Sequence, residues 1–464
     1  MRNFLSQLIT KGVYLLAFLL PLGTRYILNQ GVIGDFAWEY ATISIFALES
    51  LIWLLAITSI VLHAIDFDDE IHFRNQKLFM MILLMIGLGV TSIATIFFSD
   101  YHNIALQGAL RLLEGIALVL ILVHAKFSLH RFAQCLVASS VIQSALGMAQ
   151  FASQKVFAST ILGVSQKLPE VLGISVLTNN GERVLRAYGT FSHPNIYGFF
   201  VVMGIVISLG LLFTYRSTLE KWLIMCALAI HSAGLFVSFS RSAYLAMFVS
   251  ALIVCLYVVI NKNKKLMFTL GIGLIALLVV QTGLLFAYQD VMMERLAPTQ
   301  VLSSTSTLER QELLSQARQL LTLRWERGIG VGAYPLFAHD ALGGAAGVVP
   351  QPVHNTFLLV LVEIGIAGGI LLVGLLYHII RNIIVFRVGY SSALLAELEK
   401  FQRADMYEQE YGFTTHWYII FSALVFGALS IFFFDHYMWS NVTGIIMFWM
   451  IVGLWMRQFV RVRV

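Results

Sequence analysis

Charge is what this 464-residue chain has least of: Asp, Glu, Lys and Arg make up 12% of it, whereas hydrophobic residues make up 59%. A soluble domain of that composition would expose a large apolar surface to water. The chain is therefore predicted to be a polytopic membrane protein surrounded by membrane lipid.

Cysteine is scarce too. Cys135, Cys226 and Cys255 lie within apolar runs, so neither a disulfide framework nor a zinc site is expected. The net charge of +5 comes from basic residues scattered over short loops, which is typical of membrane topology, and no nucleic-acid partner is expected. The predicted outer loops show no Asp-x-Asp pair and no cluster of His and carboxylates, so no metal and no cofactor are predicted.

Apolar runs that can span a bilayer recur along the whole chain. A spanning helix needs roughly 20 apolar residues, and about twelve runs approach that length. We therefore predict an all-α integral membrane bundle of about twelve helices, with residues 1–464 as a single membrane domain. The runs lie near 12–32, 38–63, 78–98, 103–124, 132–151, 195–214, 221–238, 242–260, 266–288, 355–379, 414–434 and 441–457.

Lysine and arginine alternate from loop to loop and so predict the topology. Loops that hold Arg74 and Lys77, or Lys262, alternate with loops almost free of basic residues. By the positive-inside rule both termini are predicted to be cytoplasmic and two long loops to lie outside. These loops are 152–194 and, between the ninth and tenth helices, 289–353, which is expected to be partly helical and to cap a cavity.

The larger loop contains one segment typical of a soluble helix, residues 306–323. It begins with a capping box of Ser306 and Glu309 and continues with leucines at helical spacing. Arg310 lies on the same face as these leucines. Either its side chain extends along the apolar surface to a polar rim, or it reaches an anion held beneath the helix.

Three predicted helices open outside with residues that suit anion binding and proton transfer. Helix starts attract anions, and the arginine fork suits diphosphate, which makes Arg186, Arg241 and the start at Asn195 candidates. His354 lies at the mouth of the tenth helix, and histidine is best suited to take a proton near neutral pH. Taken singly, Arg241 would more often meet a lipid phosphate and His354 would more often cap a helix. Together these residues predict one cavity.

Charged residues also occur within the predicted spans. Arg111 and Glu114, one turn apart, are interpreted as an ion pair with Glu49 as a candidate third member, although a functional role is the default alternative for such charges. Near the C-terminus, Asp435 and His436 suit either an interfacial belt or the lining of the cavity.

Several short blocks, taken in this order, resemble the signature of the bacterial O-antigen ligase and O-antigen polymerase superfamily of membrane glycan transferases. The similarity spans roughly 180–460, and the earlier helices match only in hydrophobic character. The chain departs from the family where Trp325-Glu326-Arg327 stands in place of an asparagine-proline pair. The blocks are 186–195 (RAYGTFSHPN), 238–242 (SFSRS), Arg310, 328–332 (GIGVG), His354-Asn355 with Glu363-Ile364-Gly365, and Asp435-His436-Tyr437 with Trp439.

The resemblance implies a metal-independent, inverting, GT-C-like glycosyltransferase of lipopolysaccharide or polysaccharide biosynthesis in the bacterial cytoplasmic membrane, with its active site facing the periplasm. It implies an undecaprenyl diphosphate-linked oligosaccharide or polysaccharide as donor, and a lipid A-core-like glycolipid, a glycan or a protein as acceptor. His354 would be the base, and Arg186, Arg241 and Arg310 would bind the diphosphate. Supporting roles are expected for His193, Asn195, Asn355, Glu363, Asp435 and His436.

Three alternatives stay open at this stage. A polymerase would use the same chemistry with a glycan as acceptor. A transporter or flippase for a lipid-linked glycan would depend on Arg111, Glu114 and Glu49, although no internal repeat is visible. An enzyme that uses polyprenyl monophosphate sugars would take its base from the first outer loop, where Asp35 is the candidate.

Overall fold

The computed structural model describes residues 1–65, 76–179, 181–215, 217–296, 301–342, 350–389 and 415–459. Over these residues the chain is an all-helical membrane bundle, as its composition predicts. In chain order the helices are α1 (Arg2–Leu19), α2 (Ala47–Ile65), α3 (Gln76–Ile96), α4 (His102–His124), α5 (Leu129–Ser153), α6 (Pro194–Thr214), α7 (Thr218–Ser238), α8 (Arg241–Ile260), α9 (Lys264–Ala287), α10 (Gln289–Leu296), α11 (Val301–Arg324), α12 (Tyr334–Ala341), α13 (Thr356–Gly389), α14 (Thr415–Phe432), α15 (Tyr437–Ser440) and α16 (Val442–Arg457).

In the described ranges, nine helices are long and apolar enough to cross a membrane, namely α2 to α9 and α13. Helices α14 and α16 are apolar but shorter. Together with α1, these helices match the predicted apolar runs in number and order, and from the third run onward also closely in position. The predicted class of fold is therefore confirmed.

The first two predicted runs are wrong in their boundaries. Helix α1 ends at Leu19, because Pro21 has no backbone N–H and cannot continue a helix. The chain then forms a strand, and helix α2 begins only at Ala47. The short antiparallel pairs are β1 (Arg25–Asn29) with β4 (Ile43–Phe46), β2 (Val32–Ile33) with β3 (Phe36–Ala37), and β5 (Val176–Asn179) with β6 (Glu182–Leu185); a 3-10 helix spans Glu39–Ala41.

Helix α6 is the centre of the bundle. In its most apolar stretch, 94% of the residues of α6 are buried inside the protein. The corresponding share for α9 is 17%, so most of α9 is on the outside of the bundle. Helices α5, α7 and α8 all pack against α6. The residues at the start of α6 consequently lie in the middle of one end of the bundle, which we call the loop end. The described parts of segments 152–194 and 289–353 also lie there.

Helix α13 is broken within its span. Gly365 has φ 67° and ψ −172°, a conformation that does not fit a helix. The backbone of residues 328–332, the glycine turn, fits against this break, and Gly328 and Gly330 also have positive φ angles. The long segment between α9 and α13 thus packs directly against a membrane helix.

The same segment also contacts the turn between α3 and α4. The Arg324 guanidinium lies 3.4 Å from the Asp100 carboxylate between α3 and α4. The Tyr101 hydroxyl donates to the Leu336 carbonyl at 3.2 Å and also bonds to Asp340. Helix α11 begins at Val301, earlier than its capping box predicts, and both α10 and α11 contact β5. The described parts of the two long segments are therefore in contact with each other.

Gly365→Ala is expected to lower the thermal unfolding midpoint of the detergent-solubilised protein. A Cβ there would lie 2.7 Å from the Glu326 carbonyl oxygen, and alanine at positive φ costs about 1–2 kcal/mol before any clash. Gly271→Ala in α9 is the matched control, since its Cβ would meet open space. A Gly365→Ala variant as stable as Gly271→Ala would contradict this account of the break.

Candidate active site

Side chains from separate parts of the sequence form one cluster at the loop end. His354 precedes α13, whereas Asp435 and His436 lie between α14 and α15. The rings of His354 and His436 are 5.0 Å apart and nearly perpendicular. Nitrogen and carboxylate oxygen atoms of the three residues lie within 4.8 Å of one another. The structure thus brings together the predicted base and two of its predicted supporting residues.

Asp435 is buried and held on several sides. One carboxylate oxygen accepts a hydrogen bond from the Asn195 side-chain amide at 2.8 Å, and the other accepts from the His436 backbone N–H at 2.9 Å. Its backbone carbonyl accepts from the Thr356 hydroxyl at 2.8 Å. These bonds join the starts of α6 and α13 to the turn before α15, so the carboxylate has little freedom to rotate.

The environment of His354 favours its neutral form. Burial lowers the pKa of His354, Asp435 opposes that effect, and Arg310 adds to it. Nδ1 of this ring is buried, and it has no hydrogen-bond partner among the described residues. A neutral imidazole beside a carboxylate can accept a proton and be stabilised afterwards.

The pKa values of the other titratable groups in and beside the cluster are also shifted by their surroundings. Burial lowers the pKa of His436 to about 4, and burial followed by the charge of Arg186 lowers the pKa of His193 to about 3. Burial opposes the ionisation of Asp435, but the nearby imidazoles and the hydrogen bond from Asn195 outweigh it and lower the pKa of this carboxyl. Near neutral pH the carboxylate is therefore the charged member of the cluster.

His193 also caps α6, because its Nδ1 accepts the Asn195 backbone N–H at 3.1 Å. The neutral ring then carries its proton on Nε2. Asn355 has a comparable role at α13, where its side-chain oxygen accepts from the Leu358 backbone N–H at 3.0 Å. Both residues shape helix starts that open into the cluster.

Arg186 is part of the framework. It is only 4% exposed. Its guanidinium donates to the Ser238 carbonyl at 2.9 Å, the Ser175 hydroxyl at 2.7 Å and the Asn195 side-chain oxygen at 2.9 Å. Burial, followed by repulsion from Arg295, lowers its pKa to about 9. Its predicted contact with diphosphate stays a prediction, because these bonds already use three of its donor groups.

Arg241, Arg295 and Arg310 form a positively charged group beside the cluster. Arg241 is exposed at the start of α8, and Arg295 donates to the Phe239 carbonyl at 3.0 Å. Burial, then the charges of Arg241 and Arg310, lower the pKa of Arg295 to about 10. Among the residues that the structure describes, none of the three forms an ion pair with a carboxylate. Such a group is suited to an anion.

The sequence leaves two interpretations of Arg310 open, extension to a polar rim or contact with an anion beneath the helix. Its charge affects His354 and His436 on one side and Arg241 on the other. The side chain is therefore near the cluster and the other arginines. This position favours the second of the two sequence interpretations, in which the side chain reaches toward an anion beneath α11.

Two residues near the cluster had no role in the sequence-based site. Arg295 is one of the arginines of the 289–353 loop, and no sequence block of the resemblance includes it. Tyr40, in the 3-10 helix, has a raised pKa because of burial and then because of the charge of Asp435. Nothing in the sequence near Tyr40 indicates proximity to a residue almost 400 positions later, as contacts between distant segments depend on the fold.

Glu363 lies in the span of α13 and is separate from the cluster. It is 1% exposed, and its carboxylate accepts from the Trp439 indole N–H at 2.7 Å. The predicted supporting role of Glu363 at the site is therefore indirect.

The expectation that the loops hold no His and carboxylate cluster is wrong for the described residues. His354, Asp435 and His436 have the ligand types that a transition metal binds. However, both oxygens of Asp435 already accept hydrogen bonds, and the positive charge of Arg310 opposes a cation. Metal independence stays a prediction.

The charged residues within the spans are arranged differently from the sequence interpretation. Arg111 pairs with Glu49 at 2.7 Å and not with its neighbour Glu114. The second Glu49 oxygen accepts from the Phe46 backbone N–H at 2.6 Å, and Arg111 donates to the Ser44 carbonyl at 3.3 Å. This pair fastens β4 to α4, which is a structural role.

Comparison with known families agrees with the sequence blocks. Residues 224–373 match the family model described as O-Antigen ligase. The match includes Arg241, Arg295, Arg310 and His354, whereas Asp435 lies beyond it. No curated protein matches the chain. The resemblance to the O-antigen ligase and polymerase superfamily is thereby confirmed, and O-antigen ligase-like glycan transfer is supported at the level of the family.

Arg186→Ala is expected to destabilise the protein strongly, whereas Arg241→Ala is expected to leave its stability nearly unchanged. The first substitution removes three buried bonds, and hydrogen bonds to charged groups contribute about 1.5–3 kcal/mol each. Thermal unfolding of both variants in detergent compares them directly. Equal stability of the two variants would show that Arg186 is not a framework residue.

Proposed function

We propose, on the premise that residues 224–373 match the O-antigen ligase family, that this protein transfers a glycan from undecaprenyl diphosphate to an acceptor hydroxyl. The observation that carries the proposal is a neutral His354 beside the Asp435 carboxylate, with three arginines nearby that form no ion pair with a described carboxylate. A base and an anion site within one cavity are what this transfer requires.

The reaction is a single displacement at the anomeric carbon of the glycan. The acceptor oxygen forms a bond to that carbon while the bond from carbon to the phosphate oxygen breaks, so the configuration inverts. The diphosphate leaves with the electron pair, and the acceptor hydroxyl proton passes to His354. Asp435 then stabilises the imidazolium, since its negative charge raises the proton affinity of the ring.

The leaving diphosphate is bound by Arg241 and Arg310, and we add Arg295 to this group. Guanidinium groups bind phosphate oxygens bidentately and remain charged. Three of them, held by separate helices, match the charge that develops on the leaving group. Arg186 supports them from behind, because it bonds to the Ser238 carbonyl just before the turn that carries Arg241.

The site is proposed to face the exterior of the bacterial cytoplasmic membrane, with both termini in the cytoplasm. The positive-inside pattern of the loops supports this orientation. The polyprenyl tail then stays in the bilayer while its diphosphate reaches the arginines from the side. Segments 152–194 and 289–353 form the cap above the cavity.

A polymerase would use the same chemistry with a glycan acceptor, and we favour the ligase because of the description of the matching family. The transporter alternative relied on Arg111, Glu114 and Glu49. The ion pair of Arg111 with Glu49 serves to fasten β4, which does not support that alternative. Asp35, the base of the third alternative, is exposed in the β2–β3 turn.

His354→Ala is expected to lower glycan transfer about 10²–10⁴-fold, which is the usual contribution of a general base. The assay follows release of undecaprenyl diphosphate from a lipid-linked oligosaccharide by purified protein, with candidate acceptors and with or without EDTA. His102→Ala, an exposed histidine at the start of α4, is the matched control. Full activity of His354→Ala would disprove the proposed base, and loss of activity in EDTA that Zn²⁺ restores would disprove metal independence.

The pH dependence of kcat/KM is expected to have its acid limb below 6.5, the ordinary pKa of histidine. Burial lowers the pKa of His354, so the ring stays neutral and able to accept a proton until the pH falls below that value. Asp435→Asn removes a charge that raises this pKa; its acid limb is therefore expected at still lower pH. An acid limb above 6.5, or no shift in Asp435→Asn, would contradict the assignment.

A further inference from the structure

The break in α13, which lies within its predicted span, leaves backbone groups without partners in the helix itself. The carbonyls of Val362 and Glu363 precede Gly365, and the N–H of Ile366 follows it. In a membrane span every such group needs a partner inside the protein, because an unpaired one costs several kcal/mol. The partners come from the segment between α11 and α12.

That segment supplies a matching set of backbone bonds. The N–H of Ile329 lies 3.2 Å from the Val362 carbonyl oxygen and 3.1 Å from that of Glu363, and the N–H of Gly330 donates to Glu363 at 2.9 Å. In return, Ile366 donates its N–H to the Trp325 carbonyl at 2.8 Å. Backbone groups of the segment between α11 and α12 thus form hydrogen bonds with the groups that the break in α13 leaves unpaired.

The junction between the glycine turn and its neighbours leaves no room for a side chain at Gly328 or at Gly330. A Cβ on Gly328 would lie 2.4 Å from the Glu363 carbonyl oxygen, and a Cβ on Gly330 would lie 2.6 Å from Ala105. Val331 is buried next to Gly108 of α4. The turn is therefore packed between α4 and α13 at backbone contact distance.

The side chain of Glu363 strengthens the same junction. Its carboxylate accepts from the Trp439 indole N–H at 2.7 Å, and the backbone amides of Gly332 and Tyr334 also face it. A carboxylate that is 1% exposed inside a span is expensive unless donors surround it. Here the donors come from the end of the glycine turn, from α12 and from α15.

We propose that Glu363 is a positioning residue that holds the glycine turn in the break of α13 and thereby sets Arg310 relative to His354. Helix α11, which carries Arg310, ends at Arg324 immediately before the turn, and α13 begins just after His354. Glu363 lies nine residues beyond His354, about 13 Å along a helix, so it acts without contact to the reacting atoms. This inference rests on the proposed function.

The test uses a thiol as a reporter of the turn. The Val331→Cys substitution is made in a background in which Cys135, Cys226 and Cys255 are replaced by alanine, and the purified protein is treated with a polar maleimide. Val331 is 4% exposed, so the new thiol is expected to be protected while the turn is seated. Glu363→Gln is expected to expose it and to lower the turnover number about 10²-fold, as a displacement of about 1 Å can do.

Two further variants refine the comparison. Trp439→Phe removes only the indole N–H and keeps an aromatic ring, so it is expected to give intermediate labelling and an intermediate turnover number if Glu363→Gln folds poorly. Glu312→Gln, on the exposed face of α11, is the matched control for loss of a carboxylate. It is expected to leave labelling at the level of the parent.

The outcomes separate this inference from the proposed function. Loss of turnover without labelling would mean that Glu363 acts on the chemistry directly, and labelling without loss of turnover would mean that the seated turn is not needed; either result overturns the inference. Labelling does not depend on what reaction the protein performs. Full activity of His354→Ala would instead overturn the proposed function and leave the labelling result intact.

Discussion

The buried hydrogen-bonded path from Arg186 through Asn195 to Asp435 is the interaction on which the loop end depends. It joins the strand before α6, the start of α6 and the turn before α15, which are far apart in sequence. Through Ser238 it also reaches the turn that places Arg241. Because Arg186, Asn195 and Asp435 are buried, each of these polar groups needs its partner. The site is consequently built as one connected unit.

Burial divides the arginines of this region into two kinds. Arg186 is enclosed and hydrogen-bonded, and its removal would leave several acceptors without a donor. Arg241, Arg295 and Arg310 repel one another, and no carboxylate among the described residues offsets them by an ion pair. Repulsion of this kind destabilises the protein when no ligand is bound. Under the proposed function a bound diphosphate relieves it, so that part of the binding free energy would come from removal of that repulsion.

The sequence predicts the helices well because the length of an apolar run is a local property. It fails for run 12–32, where Pro21 and a strand pairing with residues near Ile45 override local hydrophobicity. The partner of Arg111 was also mistaken, since Glu114 is near in sequence but Glu49 is near in space. Motifs identify Arg186 as important, yet only the fold reveals that three of its donor groups already bond within the protein. Sequence order likewise gives no sign that Glu363 faces a turn more than thirty residues earlier.

The proposed site does not by itself select the acceptor. In the proposed mechanism, His354, Asp435 and the arginines act on the anomeric carbon, the leaving diphosphate and one hydroxyl proton, and every acceptor offers that same hydroxyl. Ligase and polymerase chemistry are therefore identical at these residues. Selection of the acceptor must depend on surfaces that contact the rest of the acceptor molecule. The segment between α9 and α13 contacts β5 and the turn between α3 and α4, and these contacts fix its position relative to the proposed base.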